Sequence, residues 1–563
     1  MASIIGKRQG NKTYYYLVES ARVEGKPRIV SQRYLGPAEA VIARLSQAGP
    51  GEPDRSRHLG FGDLAAVWAM LERLKVAEIV DEVVGPRRAD AACSVGTYIA
   101  LATANRVVDP RSKRAFADWW ATTAGDRIIK LPAAALDHRR FWDAMGRIDQ
   151  TQLAEIERRV GAAMVDAFQV DLSGLVLDMT NFATYIDSAN DRAPIAQRGH
   201  AKQKRRDLRL VGLGLVVSVD GGVPLVSHAY AGDRPDVTQF PQIVDELVGR
   251  FAVLAGDRAE LTVVFDAGQN SHDNLTMLAG SPLRFVGSLP PSDHPDLLAV
   301  ATSRYRTVDT TRFPGLRAFE TRKVVFGVDR RIILTHSQML HDKQSRGFDQ
   351  TVAKADRQLH TLADRLARGR TRKPHDKVEA EIAAILKPRW LSRVITTTLT
   401  GEVPAAFRLT WQTDPAARAA LEAELFGKRI LFTNKDRASR AVIVADYRSQ
   451  SQVENDFRQM KDPKVVSFSP MFHWTDQKIR VHVLCCVLAL TVARLMVRQA
   501  DRQGLHMSVR ELLDTLAAIQ ETVLLYQGQR GRPRARRMLT DMTPTQQQLH
   551  TIFGLDAYAP AQP

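Results

Sequence analysis

The sequence predicts an α/β protein organised around a mixed β-sheet. From Gly174 onward, short runs of β-branched and aromatic residues alternate with helical patterns, as a layered α/β unit requires. Two of those runs lead into an aspartate, Asp178 and Asp266, and a later run is followed by a helix carrying Glu454. With 563 residues, 44% of them hydrophobic and 25% charged, the chain is too long for one core and too apolar for disorder.

Residues 1–50 read as a small β unit. Tyr14-Tyr15-Tyr16-Leu17-Val18 and Arg28-Ile29-Val30 are strand formers, and Gly25-Lys26-Pro27 supplies a turn. Residues 51–170 read as a helical region, assigned to DNA binding and dimerisation. There Asp63 caps a helix with Leu64, Val67, Trp68, Leu71 and Leu74 in one stripe. Arg106, Arg111, Lys113 and Arg114 stand close to Trp119-Trp120, and the tryptophans read as core.

Residues 171–295 carry the first part of the sheet. Leu175-Val176-Leu177 runs into Asp178, two strands flank a Gly221-Gly222 hairpin turn, and a helix follows over 236–253. Leu261 to Phe265 is a short buried strand ending at Asp266, followed by a helix from Ser271 and a strand over 284–289. Residues 296–430 read as an insertion outside the sheet, a helical hairpin plus strands. Residues 431–500 return to the core, after the strand Arg429-Ile430-Leu431-Phe432-Thr433, with the Glu454 helix and an apolar helix over 478–499. Residues 501–563 read as a basic tail that includes Arg530-Gly-Arg-Pro-Arg534.

Charge narrows the partners. The chain has 79 Lys+Arg against 62 Asp+Glu, a net +17, which points to a polyanion and most simply to nucleic acid. Only Cys93, Cys485 and Cys486 are present, without zinc spacing, which predicts a reducing compartment. Lys7, Arg8 and Lys12 interrupt any leader-like apolar start. The longest apolar run, 481–492, contains His482 and is too short to span a bilayer, so no membrane partner and a cytoplasmic location are expected.

The stretch from Tyr447 to Lys461 has no Gly or Pro, and Val453, Phe457 and Met460 recur at helical spacing. Tyr447, Glu454 and Lys461 are each seven residues apart and project from one side, with Gln450 and Arg458 near the same stripe. On spacing alone, a surface helix with a solvated polar face accounts for this. The two aspartates upstream reverse that preference, although either one taken singly suits a cap or turn. Three convergent carboxylates need a cation between them, and hard oxygen ligands favour Mg²⁺ or Mn²⁺ over zinc. Two such ions about 4 Å apart activate a water or a 3′-hydroxyl for in-line phosphodiester displacement.

These residues carry a resemblance. The chain resembles the DDE transposases of bacterial insertion sequences, in the branch whose third motif is Tyr-x2-Arg-x3-Glu-x6-Lys. Tyr447, Glu454 and Lys461 match that spacing, but Gln450 stands at the Arg position. Asp178-Met-Thr-Asn-Phe182 and Asp266-Ala-Gly-Gln-Asn-Ser271 match the first and second acidic motifs. Gly232-Asp-Arg-Pro-Asp236, Pro470-Met-Phe-His-Trp474 and Ile479-Arg480-Val-His482 are also similar to that branch.

The resemblance implies an RNase H-like mixed sheet with helices on both faces, interrupted by the α+β insertion. It implies a transposase that cleaves element ends and joins them to target DNA, commonly as a homodimer on double-stranded DNA. It assigns Asp178, Asp266 and Glu454 as catalytic metal ligands for two Mg²⁺ or Mn²⁺ ions. Tyr447 and Lys461 would handle phosphate, with Arg448, Arg458 or another cation replacing the missing arginine. Apart from the resemblance, the basic stretch with Lys202, Lys204, Arg205 and Arg206 just before a core strand reads as a track for a DNA backbone or as a solvated loop. Two rivals remain, an RNase H-like nuclease without strand transfer and an inactive DNA-binding relic.

Overall fold

The structure, a computed structural model, describes residues 2–23, 25–47, 53–200, 207–254, 261–370, 372–526 and 534–561. It divides into two units, one of 1–66, 120–130 and 513–563 and the other of 67–119 and 131–512.

The first unit holds two small antiparallel sheets. One is a meander of Ala2–Gln9, Lys12–Val23 and Lys26–Pro37, of which the sequence reading had only the second and third strands. The other joins the chain's two ends, because Gln520–Tyr526 pairs with both Arg55–Gly60 and Arg534–Leu539. The fully buried Glu521 binds Arg127 and Arg537, each at 2.5 Å, and so ties that sheet together. Residues 501–563 are therefore no simple basic tail: they also form the helices Val509–Ala517 and Pro544–Ile552.

The second unit is built on one nine-stranded mixed sheet. Its spatial order is Arg306–Thr307, Leu316–Val325, Val328–Ser337, Lys428–Thr433, Arg284–Leu289, Thr262–Phe265, Gly174–Thr184, Arg209–Ser218 and Pro224–Ala231. Numbered along the chain, the five strands between 174 and 289 lie in the order 3-2-1-4-5. The first three form an antiparallel meander, and the first, fourth and fifth are parallel, which is the RNase H-like arrangement. The Gly221-Gly222 turn has φ of 87° and 67°, values that glycine adopts without strain.

Helices cover both faces. Asp236–Leu254 lies on the side of Met179, where Phe240, Phe265, Phe285 and Phe432 pack ring to ring. Gln450–Met460 lies on the opposite side, where Lys461 reaches Thr180. The helix Asp476–Arg502 is long and apolar enough to cross a membrane, but 89% of its most apolar stretch is buried, and that burial accounts for its composition.

The insertion is narrower than the sequence suggests. Leu316–Val325 and Val328–Ser337 extend the central sheet, with Ile333 paired to Leu431. Only 338–427 leaves it. That excursion returns beside its own start, since the Ser337 amide donates to the Gly427 carbonyl at 3.0 Å. It has an apolar centre of its own in Phe348, Trp390 and Phe426, with the Arg418 guanidinium over two of those rings.

Candidate active site

Strand register brings the two aspartates together. Val176 pairs with Val264 across parallel strands, and the same register two residues on sets Asp178 beside Asp266. Neighbouring strands lie about 4.8 Å apart, and residues facing each other across a sheet share a face. Asp266 follows the last residue of its strand, as expected. Asp178 does not end its strand but lies inside Gly174–Thr184, because the antiparallel pairing with Arg209–Ser218 carries that strand on.

The next strands add groups that sequence reasoning missed. Phe265 pairs with Gly287, so Ser288 lies beside Asp266 and donates its hydroxyl to Asp266 Oδ1 at 2.9 Å. The Ala267 amide donates to the same oxygen at 2.7 Å. Leu431 pairs with Ser288, which puts Arg429, two residues earlier on its strand, on this face as well. Nothing in the local sequence marks Ser288 or Arg429, because each belongs to a strand whose alternation explains it fully.

Two helices overlie this face. The expected single helix from Tyr447 to Lys461 is divided at Ser449, which ends Arg440–Arg448 and begins Gln450–Met460. Tyr447 is buried above the Asp266 end. Burial raises its phenol, opposed by hydrogen bonding with Ser288, by the Arg429 charge and by a hydrogen bond with Arg429, while Asp266 pushes the same way as burial. The Arg429 guanidinium lies 5.6 Å from the centre of the Tyr447 ring.

At the other end, Lys461 Nζ donates to Thr180 Oγ1 at 2.8 Å, on the same face as Asp178 and two residues beyond it. The same ammonium stands 5.5 Å from the centre of the Phe182 ring. Asp178 also acts on Tyr230. Burial first, then Asp236 and Asp178, raise that phenol, which donates to Asp236 at 2.6 Å.

Glu454 lies on the helix between these anchors and is exposed. Among the described residues, no three His, Cys, Asp or Glu side chains form a group able to hold a metal ion, so the expected convergence of three carboxylates is not closed. The Asp178–Asp266 pair by itself offers the hard oxygen donors that suit a divalent cation.

The remaining expected residues scatter. Arg448 packs over Phe313 at 4.7 Å, and burial together with the Arg429 charge lowers its pKa. Arg458 is exposed and donates to Asn455 at 3.0 Å. Gln450 is buried. Lys202, Lys204, Arg205 and Arg206 lie outside the described residues.

Comparison with known proteins bears on this geometry. Residues 171–465 match the family described as Transposase DDE domain, a span that contains Asp178, Asp266, Glu454 and Lys461. A comparison with curated protein sequences found no match. Among solved structures, a cryo-EM structure of a piggyBac transposase synaptic complex with hairpin DNA is similar at 9% identity and a TM-score of 0.38, over 83% of this chain and 82% of that one. Because the family match takes in more than half of the 563 residues, the chain belongs to the DDE transposase domain family.

Proposed function

We propose that this transposase cleaves the ends of an insertion sequence and joins them to target DNA by in-line phosphodiester hydrolysis and transesterification. The observation that supports this is the parallel register of Val176 with Val264, which, carried two residues on, sets Asp178 beside Asp266 on the sheet face covered by the helix of Glu454.

DDE transposases generally use divalent metal ions, and here Asp178, Asp266 and Glu454 are the residues that would hold Mg²⁺ or Mn²⁺. Such ions, when bound, lower the pKa of an attacking water or 3′-hydroxyl and offset charge on the leaving oxygen. The protein's own groups orient the reactants. Ser288 and the Ala267 amide hold the Asp266 carboxylate in one rotamer. Lys461, steadied by Thr180, meets a phosphate oxygen on the Asp178 side. Arg429 supplies on the Asp266 side the cation that Gln450 does not. Double-stranded DNA is the substrate, held by a homodimer.

The test is Mg²⁺-dependent nicking of a duplex carrying an element end, followed by joining of a pre-cleaved 3′-hydroxyl end to a second DNA. Nicking without joining would assign a nuclease instead. Loss of both in the folded wild-type protein would assign an inactive relic.

A further inference from the structure

The helices before the sheet and the segment after the Glu454 helix enclose a cavity of about 320 Å³. Arg106, Arg111, Lys113, Arg114 and Lys478 line it, and among the described residues no carboxylate does. Trp142, Phe472 and Trp474 also line it, the last two more than half exposed, at 55% and 53%.

Two of these cations are nearly removed from water. Arg106 is 1% exposed and Lys113 is 6% exposed. The Arg106 guanidinium is held by the Ser469 carbonyl at 3.1 Å. The Lys113 ammonium has no ion-pair or hydrogen-bond partner among the described residues, and the charge that acts on it most strongly is the like charge of Arg106. Burial lowers it to about 8, so it stays protonated at neutral pH. Burial also drives His473, beside it, to about 3, leaving a neutral imidazole. A buried ammonium without a counter-charge is costly by itself, and an anionic ligand would supply what the protein omits.

The cavity adjoins the strand of Asp178. The Tyr185 amide, just past that strand, donates to the Met471 carbonyl at 3.0 Å. Phe182 stacks on Phe468 at 3.9 Å, and the Phe468 carbonyl accepts from His482 at 2.9 Å. The segment that lines the cavity is thus tied to the end of the strand that carries Asp178.

We infer that this cavity binds the 5′-phosphorylated end of a single strand, with the phosphate at Lys113 and the terminal base against Trp474 and Phe472. The ligand class follows from the proposed cleavage, on which this inference rests. Water oxygen forms a new bond to phosphorus, the P–O3′ bond breaks, and the 3′ oxygen takes a proton. The phosphate then remains on the 5′ carbon of the other fragment as a monoester. Its two charges match a cationic site without carboxylates, and exposed aromatic rings stack on any base.

The test uses the full chain in EDTA, so that no cleavage occurs, and a short oligonucleotide labelled at its 3′ end, with or without a 5′-phosphate. Wild-type protein is expected to bind the phosphorylated form about tenfold more tightly, the equivalent of one charge-assisted contact. Lys113→Met should remove that preference. Trp474→Ala, at an exposed position, should weaken both forms while keeping the preference, and it covers the case in which Lys113→Met does not fold. Equal binding of both forms by wild type, or a preference that survives in folded Lys113→Met, overturns the inference. Competition by a free nucleoside monophosphate as strong as by the oligonucleotide would assign the cavity to free nucleotides and overturn the strand-end reading. Nicking is scored separately, so loss of the preference with normal nicking leaves the transposase reading intact.

Discussion

Glu454 and Asp456 lie two residues apart on one helix and meet opposite surroundings. Glu454 is exposed on the side of Lys461. Asp456 is fully buried and pairs with Arg494. Replacing Glu454 by Gln keeps size and helix propensity, and the buried stripe of Val453, Phe457 and Met460 is untouched. Metal-dependent nicking should fall by at least about a hundredfold, while circular dichroism and DNA gel shifts stay near wild type. Near-normal nicking would remove Glu454 from the site.

Asp456 should instead govern stability. Burial raises its carboxyl from 3.8 to about 7, against the opposing pull of Arg494. The folded state therefore binds this proton more tightly than the unfolded state. Its stabilising contribution is complete below about pH 4 and is lost as pH rises through about 7, with a slope of up to about 1.4 kcal/mol per pH unit. Asp456→Asn carries no such proton. Urea melts at pH 5 and pH 8 should show the variant gaining on wild type at the higher pH, and a pH-independent difference would contradict the assignment.

At the scale of elements, the strand Lys428–Thr433 does two things at once. It joins Val328–Ser337 to Arg284–Leu289 inside the sheet, with Phe432 packed on Phe285, and it delivers Arg429 to the face of Asp266 and Tyr447. Arg429→Gln should slow cleavage by about tenfold to a hundredfold with little change in duplex binding, because a cation acting on one transferring phosphate matters most in the transition state. An equal loss of binding and cleavage would make Arg429 an ordinary backbone contact. The same strand closes the excursion, whose ends meet at Ser337 and Gly427. Replacing residues 339–426 by a two-residue Asn-Gly turn should leave a cooperatively melting sheet, since that segment packs around its own Phe348 and Trp390. A molten product would show that the excursion is needed to fold the core.

At the scale of the whole molecule, the proposed action on DNA together with the net +17 predicts that phosphate neutralisation is the main source of affinity. Log affinity should fall linearly with log salt. Changing Lys202, Lys204, Arg205 and Arg206 together to Gln should flatten that line by about 0.9 for each phosphate that the variant no longer neutralises. An unchanged slope would assign these four to solvent.

The sequence by itself determined the local elements and the chemistry available. Strand runs, the Gly221-Gly222 turn and the helix over Asp236–Leu254 were all legible, because periodicity and turn residues act within a few positions. Asp178, Asp266 and Glu454 stand out in the sequence only through their strand-end and helix positions and the family motifs they match, since separations of 88 and 188 residues exceed any local period. The hairpin Leu316–Val325 and Val328–Ser337 was not, since Arg322 with Asp329 and Arg331 with Glu320 fill it with charges that pair only across strands or turn. Nor could the sequence show that a strand near 57 would pair with one near 523, or that Lys113 would be buried without an acid. Ser288 and Arg429 joined Asp266 only through register, which is set by contacts between strands far apart in the chain. Tertiary structure alone decided these, because pairing and burial depend on which distant residues share a face.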